Sequence, residues 1–252
     1  MNRKAAGAAL GVGTLASAGV AFYGAQVPTA QLYGRTICRE PAAGKKLCLT
    51  YDDGPNPAWT PALLDLLDEH DAKATFFLIG KWSEREPELI REVVRRGHAI
   101  GNHTFSHPSM PVKSDEQIRE ELDACRDAVE SAGVEFSTVE GRMLMRPPYG
   151  RRRPGTLRVL REKGYVGVTW SITGYDWRPR ITSEEITRRC LKAGEGDIIL
   201  LHDGFDREPA FDRERSVETT KNLLEHYGPL GFDFVTVPDL VAAAGTSSRY
   251  AG

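Results

Sequence analysis

The sequence predicts an α/β protein whose parallel strands curl into a distorted barrel of about seven strand–helix units. Three observations lead there. Apolar runs of strand length alternate with helix-period segments from Lys46 to Ala243, an order that makes neighbouring strands parallel and joins them by helical crossovers. The number of units falls slightly short of the eight of a closed (β/α) barrel. The most reactive side chains fall at the C-terminal ends of predicted strands, the edge where such barrels carry their chemistry. A length of 252 residues suits one domain of this kind better than two.

The first strand is Lys46–Tyr51, an apolar run that stops at Asp52-Asp53-Gly54-Pro55. Thr60-Pro61 opens a helix with Leu63, Leu64, Leu66 and Leu67 inward and Pro in its first turn. Lys73–Ile79 is the second strand, bounded by Gly80. Glu86–Arg96 is a helix with Leu89, Ile90, Val93 and Val94 inward and Gly97 past its end. His98–Gly101 is a short strand. Ser114 followed by Gln117 makes a capping box for a helix in which Ile118, Leu122, Cys125 and Val129 share a face. Arg142–Met145 is a strand that runs into Arg146-Pro147-Pro148-Tyr149-Gly150, and Thr156–Lys163 is a helix ended by Gly164. Tyr165–Trp170 is a strand rich in β-branched and aromatic residues. Ser183 caps a helix to Ala193, Asp197–Leu201 is a strand ending at His202-Asp203, and Val217–Tyr227 is a helix. Phe232–Val235 and Val237–Ala243 are the last strand and helix.

The N-terminus reads differently. Asn2-Arg3-Lys4 is followed by an uncharged, Ala- and Gly-rich run to Tyr33, with Ala16-Ser17-Ala18 as a candidate cleavage site. That is the pattern of an export signal or membrane anchor. The domain expectation is therefore 1–27 export signal or anchor, 28–44 linker, 45–245 catalytic domain and 246–252 disordered tail. The protein would be secreted, periplasmic or anchored facing outward. A net charge of −2 gives no reason to invoke nucleic acid. The cysteines, Cys38, Cys48, Cys125 and Cys190, lack paired zinc-site spacing. Buried thiols are the plain reading; export would permit a disulfide, with Cys38 and Cys48 the candidate pair.

The predicted rim gathers Asp52, Asp53, His103, His107, Arg146, Tyr149, Asp176, Trp177 and His202. Each is unremarkable alone: an Asp pair before Gly-Pro is usually a solvated turn, and two loop histidines usually bind nothing. Together they suggest chemistry. Adjacent strand residues face opposite ways, so the Gly54-Pro55 turn is needed to bring both carboxylates into one pocket. Two close carboxylates repel unless a cation lies between them. His103 and His107, four apart, would share a face of a helical turn. With Asp53 they make a two-His, one-carboxylate set with open positions, which suits catalytic zinc and equally iron or cobalt. Asp52 is then free to act as a base, with Arg146 as its bidentate partner. His202 titrates near neutral pH and can pass a proton. Trp177 and Leu200 would wall a small apolar pocket. Arg151-Arg152-Arg153, with Arg178 and Arg180, lies beside the rim, either as a solvated basic surface or as one that meets an anionic polymer such as peptidoglycan.

These residues resemble the polysaccharide deacetylases, the family 4 carbohydrate esterases with the NodB-homology domain. Five motifs stand in the family's order between about Lys45 and Ala243: Thr50-Tyr51-Asp52-Asp53-Gly54, His103-Thr104-Phe105-Ser106-His107, Arg146-Pro147-Pro148-Tyr149-Gly150, Asp176-Trp177 and Leu200-Leu201-His202-Asp203. Ala74-Thr75-Phe76-Phe77 and Gly97–His103 are similar too. The resemblance implies a NodB-type barrel and a metal-dependent removal of N-acetyl groups from a polysaccharide containing N-acetylglucosamine. It implies that Asp53, His103 and His107 hold a divalent metal, zinc before cobalt or another first-row ion. It makes Asp52 the base that takes the proton of the attacking water, Arg146 its orienter, His202 the acid that protonates the leaving amine, and Asp176 a residue that tunes the polar network around that acid. The Tyr149 N–H serves the oxyanion, and Trp177 and Leu200 the acetyl methyl. An O-acetyl esterase acting on xylan or another glycan, and a non-catalytic glycan-binding module, are the competing readings. The chain departs from the family at Thr173-Gly174, where an earlier acidic residue often stands ahead of Asp-Trp.

Overall fold

The computed structural model describes residues 19–245. The candidate cleavage site, the basic start and the expected tail lie outside them, and no helix among the described residues is long and apolar enough to cross a membrane. Residues 19–26 are helical. Among the described residues the strands are β1 Lys46–Gly54, β2 Ala74–Leu78, β3 Ala99–Asn102, β4 Thr138–Val139, β5 Arg142–Met145, β6 Tyr165–Gly167, β7 Ile172–Thr173, β8 Ile198–His202 and β9 Asp233–Phe234. The α-helices that follow in chain order are α1 Thr60–Glu69, α2 Gly80–Ser83, α3 Pro87–Arg95, α4 Asp115–Ser131, α5 Pro154–Glu162, α6 Ser183–Cys190, α7 Glu214–Tyr227 and α8 Val237–Ala243.

Seven strands pair in parallel in the order β7-β8-β1-β2-β3-β5-β6. This is the expected α/β arrangement of about seven parallel strands, with antiparallel β4 making the sheet mixed. The ladder path opens between β6 and β7, which are consecutive in the chain. One run of backbone thus leans on β5 at its start and on β8 at its end. Antiparallel β4 edges β5, and β9 pairs with the start of β1.

Both faces of the parallel strands are apolar, as burial on two sides requires. On β1, Leu47, Leu49 and Tyr51 face the helices with Leu63, Leu67, Leu223 and Leu224. Cys48 faces a second cluster with Phe77, Leu144, Val168, Trp170, Ile198 and Leu200, against which α8 places Val237, Leu240 and Val241. Thr50 and Asp52 continue the Cys48 column, so the inward face becomes polar only at its C-terminal end.

Several expectations are corrected. The helix α6 is capped by Thr182, whose Oγ1 accepts from Glu185 N at 3.3 Å, and not by Ser183. Strand β1 does not stop at Tyr51 but runs through the Asp pair to Gly54. No disulfide joins Cys38 and Cys48, and all four cysteines are free thiols. Cys48 is committed to the inner cluster, while Cys38 is half-buried beside the Gln31 amide. Residues 28–44, expected as a linker, pack on the domain. Ile37 N donates to Gly167 O at 2.9 Å and Thr169 N to Ile37 O at 2.8 Å.

Candidate active site

Asp52 and Asp53 enter one cleft because the strand breaks its alternation between them. Asp53 takes a left-handed backbone (φ 72°), and the β1–β2 register slips between Asp52 and Gly54. The expected Gly54-Pro55 turn is not the device; the bulge at Asp53 is. Gly54 still matters, since a Cβ there would strike the Asp203 carboxylate.

The histidines converge by a loop and not by a helical turn. Thr104 and His107 are left-handed (φ 68° and 62°), and Thr104 Oγ1 accepts from His107 N at 3.1 Å. Asn102, buried at the end of β3, braces the loop by accepting from Thr104 N at 2.7 Å. His103 Nδ1 donates to Arg146 O at 2.7 Å, which aims Nε2 into the cleft. Asp53 Oδ1 lies 3.4 Å from His103 Nε2 and 3.3 Å from His107 Nε2. Ligand atoms of the three residues fit within 4.8 Å of one another. Asp53 Oδ1 is buried and accepts no hydrogen bond. An unsatisfied carboxylate oxygen facing two ring nitrogens suits a cation, so the donor set fits a divalent metal. Burial works to raise the Asp53 pKa, but the charge of His107 and the His103 contact outweigh it and hold the carboxyl well below the usual range.

Asp52 belongs to a different pair. Arg146, fully buried, donates from Nη1 to Asp52 Oδ1 at 2.7 Å and to Thr50 Oγ1 at 2.8 Å, and from Nη2 to Thr169 O at 3.1 Å. Its guanidinium lies 4.1 Å from the Phe77 ring centroid and 5.6 Å from that of Trp170. Asp52 Oδ2 stays 3.6 Å from His103 Nε2. Across the β1–β8 ladder, Asp52 is the register partner of His202. Buried Asp176 accepts from His202 Nδ1, His202 N and Ser216 Oγ, each at 2.8 Å. Burial disfavours the charged imidazole, yet the Asp176 charge and hydrogen bond prevail and raise the His202 pKa above its ordinary value. The departure at Thr173-Gly174 has a packing reason: a Cβ on Gly174 would strike Ile186 of α6.

A cleft of about 350 Å³ is lined by Asp52, Asp53, His103, His107, Tyr149, Trp177, Leu200 and His202 among others. Eight of the ten expected residues thus share one cavity. The other two, Arg146 and Asp176, sit behind Asp52 and His202. Tyr149 is left-handed (φ 60°) and sets its ring edge-on to His107 at 4.6 Å. Trp177 stands edge-on to His202 at 5.2 Å.

Sequence reasoning missed other lining residues: Gln26, Trp170, Phe205, Asp206 and Arg213. Asp206 Oδ2 lies 3.5 Å from His107 Nδ1. The arginine run divides its work. Arg151 reaches the cleft, Arg152 is buried, and Arg153 pairs with Asp115 at 2.6 Å. Arg178 stacks over Tyr175 at 4.2 Å. They do not form one anionic-polymer surface.

Comparison with known proteins finds relatives over most of the chain. The profile of the family described as Polysaccharide deacetylase matches residues 39–168. A peptidoglycan-N-acetylglucosamine deacetylase of Bacillus cereus is 36% identical over 201 residues, 78% of this chain and 88% of its own. A chitooligosaccharide deacetylase of Sinorhizobium fredii is 33% identical over 212 residues, 82% of this chain and 96% of its own. A crystal structure of a peptidoglycan N-acetylglucosamine deacetylase in complex with 4-naphthalen-1-yl-N-oxidanyl-benzamide superposes with a TM-score of 0.72 at 29% identity, covering 81% of this chain and 91% of that one.

Proposed function

The chain belongs to the polysaccharide deacetylase family, and we propose that it is a metal-dependent hydrolase that frees acetate from N-acetylglucosamine units of a wall or chitin-like polysaccharide. It is a hydrolase of carbon–nitrogen bonds, as its named relatives are deacetylases. One observation carries the finer reading. A three-donor cluster lies between two separately partnered groups, Asp52 with Arg146 and His202 with Asp176. An acid, a base and a cation site are what amide hydrolysis at neutral pH requires.

Asp53, His103 and His107 would hold the metal, with zinc favoured by the nitrogen and oxygen donors. When bound, a divalent ion polarises the acetamide carbonyl and makes water easier to deprotonate. Asp52, held by Arg146, takes the proton of the water that attacks the carbonyl carbon. As the carbon–nitrogen bond breaks, His202 gives its proton to the leaving amine, which would otherwise depart as a poor amide anion. The Tyr149 N–H donates to the developing oxyanion, an interaction worth about 3 kcal/mol in comparable sites. Leu200 and Trp177 receive the acetyl methyl. The uncharged run after the basic start supports export, as do exposed Val20, Phe22 and Tyr23 on the 19–26 helix, and a wall polysaccharide is met outside the cytoplasm.

Acetate release from N-acetylglucosamine oligomers and from acetylated xylan, by chelated and zinc-reloaded protein, tests the reading. Release from the oligomers alone, abolished by Asp52→Asn with zinc still bound, is the expected result. Preference for xylan would make the protein an O-acetyl esterase. Absence of release with every metal supplied would leave a glycan-binding module.

A further inference from the structure

Arg152 is 1% exposed, yet no carboxylate pairs with it among the described residues. Its guanidinium instead binds backbone carbonyls. Nη1 donates to Gly150 O at 2.9 Å, and Nη2 to Val27 O at 3.0 Å, Pro28 O at 3.1 Å and Ala30 O at 2.5 Å. Its own N–H donates to Ala25 O at 3.2 Å. A buried cation is tolerated only where it is fully hydrogen-bonded. If the cation left, Gly150 O and Ala30 O would lose the donor it gives them, while Val27 O and Pro28 O would each drop to a single donor, Ala30 N and Thr169 Oγ1. Arg152 therefore ties the N-terminal arm to the Arg146–Gly150 loop, which carries Tyr149.

The arm reaches the catalytic groups in two ways. Pro28 O also accepts from Thr169 Oγ1 at 2.9 Å, and Thr169 O accepts from Arg146, the partner of Asp52. Gln26 lines the cleft itself, where its Oε1 accepts from Arg151 Nε at 2.8 Å. Arg151 stands 5.4 Å from the ring of half-exposed Tyr149. An amide, a guanidinium and an aromatic face thus form one polar plate beside the metal cluster. Its donors suit ring hydroxyl and acetamide oxygens, and its aromatic face suits the apolar side of a sugar.

We propose that residues 25–37 are a working wall of the cleft, clamped by Arg152 as a positioning residue, and that Gln26 with Arg151 receives the sugar next to the one being deacetylated. The assignment rests on the glycan deacetylase reading. It separates the arm from any leader: cleavage after Ala18 would leave the wall whole, because its first clamped carbonyl belongs to Ala25.

The test compares N-acetylglucosamine oligomers of two to five sugars. Gln26→Ala is expected to raise KM for the longer oligomers about 2- to 10-fold, the weight of one hydrogen bond, with the rise fading in the shortest. An equal KM at every length overturns the subsite. Arg152→Met is expected to speed amide hydrogen exchange across 25–37 and to reproduce the KM rise, with Arg152→Lys recovering only part. Unchanged exchange overturns the clamp. If the wild type releases no acetate, the deacetylase reading has failed, and calorimetric binding of a pentamer still decides the wall. A weaker fit in Gln26→Ala supports it; equal affinity, or no binding by either protein, overturns it.

Discussion

Replacing Arg146 by methionine keeps most of the side-chain volume between Phe77 and Trp170 and removes only the charge and its donors. What remains is a buried carboxylate at Asp52 without its 2.7 Å partner and a Thr169 carbonyl without its donor. Breaking a buried ion pair from one side costs about 3–5 kcal/mol, because the surviving charge stays desolvated. Urea denaturation of chelated protein should show a loss of that size in Arg146→Met. Asp52→Asn removes the other partner and strands the guanidinium. The double variant removes both charges and should recover at least about 1.5 kcal/mol relative to the sum of the single losses. kcat should fall with KM little changed, since Arg146 does not line the cleft. Single losses below about 1 kcal/mol that add within about 0.5 kcal/mol in the double variant would refute the pairing.

Asp176→Asn removes the charge that raises the His202 pKa. A general acid works below its pKa, so the alkaline limb of the kcat/KM profile should move to lower pH, and kcat should drop about 10²- to 10⁴-fold; an unmoved limb would deny His202 the acid role. Asp206→Asn should weaken zinc binding about 10- to 100-fold in a competition titration against a chromogenic chelator, as loss of a ligand's outer partner does elsewhere. Buried His98, whose Nδ1 accepts from Ala74 N at 3.2 Å, has a pKa pushed down to about 4. The unfolded chain binds that proton from about pH 6.5 downward, so the contribution is complete above 6.5 and is lost as pH falls to about 4, in total about 2–4 kcal/mol. The slope of stability against pH in that window should flatten in His98→Asn.

The parallel strands were legible because burial on both faces leaves continuous apolar runs such as Ile198–Leu201. The site was legible because a barrel brings the ends of those runs to one rim. Strands β4 and β7, two residues each, are too short to show a period. The Arg152 clamp leaves no trace in sequence, since its partners are carbonyls that every residue carries. The arm was hidden by composition: an uncharged Ala- and Gly-rich run reads the same whether it is an export leader or, past residue 25, the wall of a cleft. Asp206 gave no signal because it lies in a loop crowded with Asp, Glu and Arg.

The backbone strain marks the boundary between what pattern predicts and what the site demands. Asp53, Thr104, His107 and Tyr149 all take positive φ without being glycine, a conformation that costs about 1–3 kcal/mol per residue and persists only where the surroundings enforce it. Each strained residue does what a relaxed one could not. Asp53 turns its carboxylate to the same side as Asp52, although strand alternation assigns them opposite faces. Thr104 and His107 fold a loop so that two imidazoles meet over Asp53 without a helix. Tyr149 sets its ring against His107. Once turned inward, the two carboxylates face different partners, the Arg146 guanidinium for Asp52 and two imidazoles for Asp53. The proposed division into a base and a metal ligand rests on that separation.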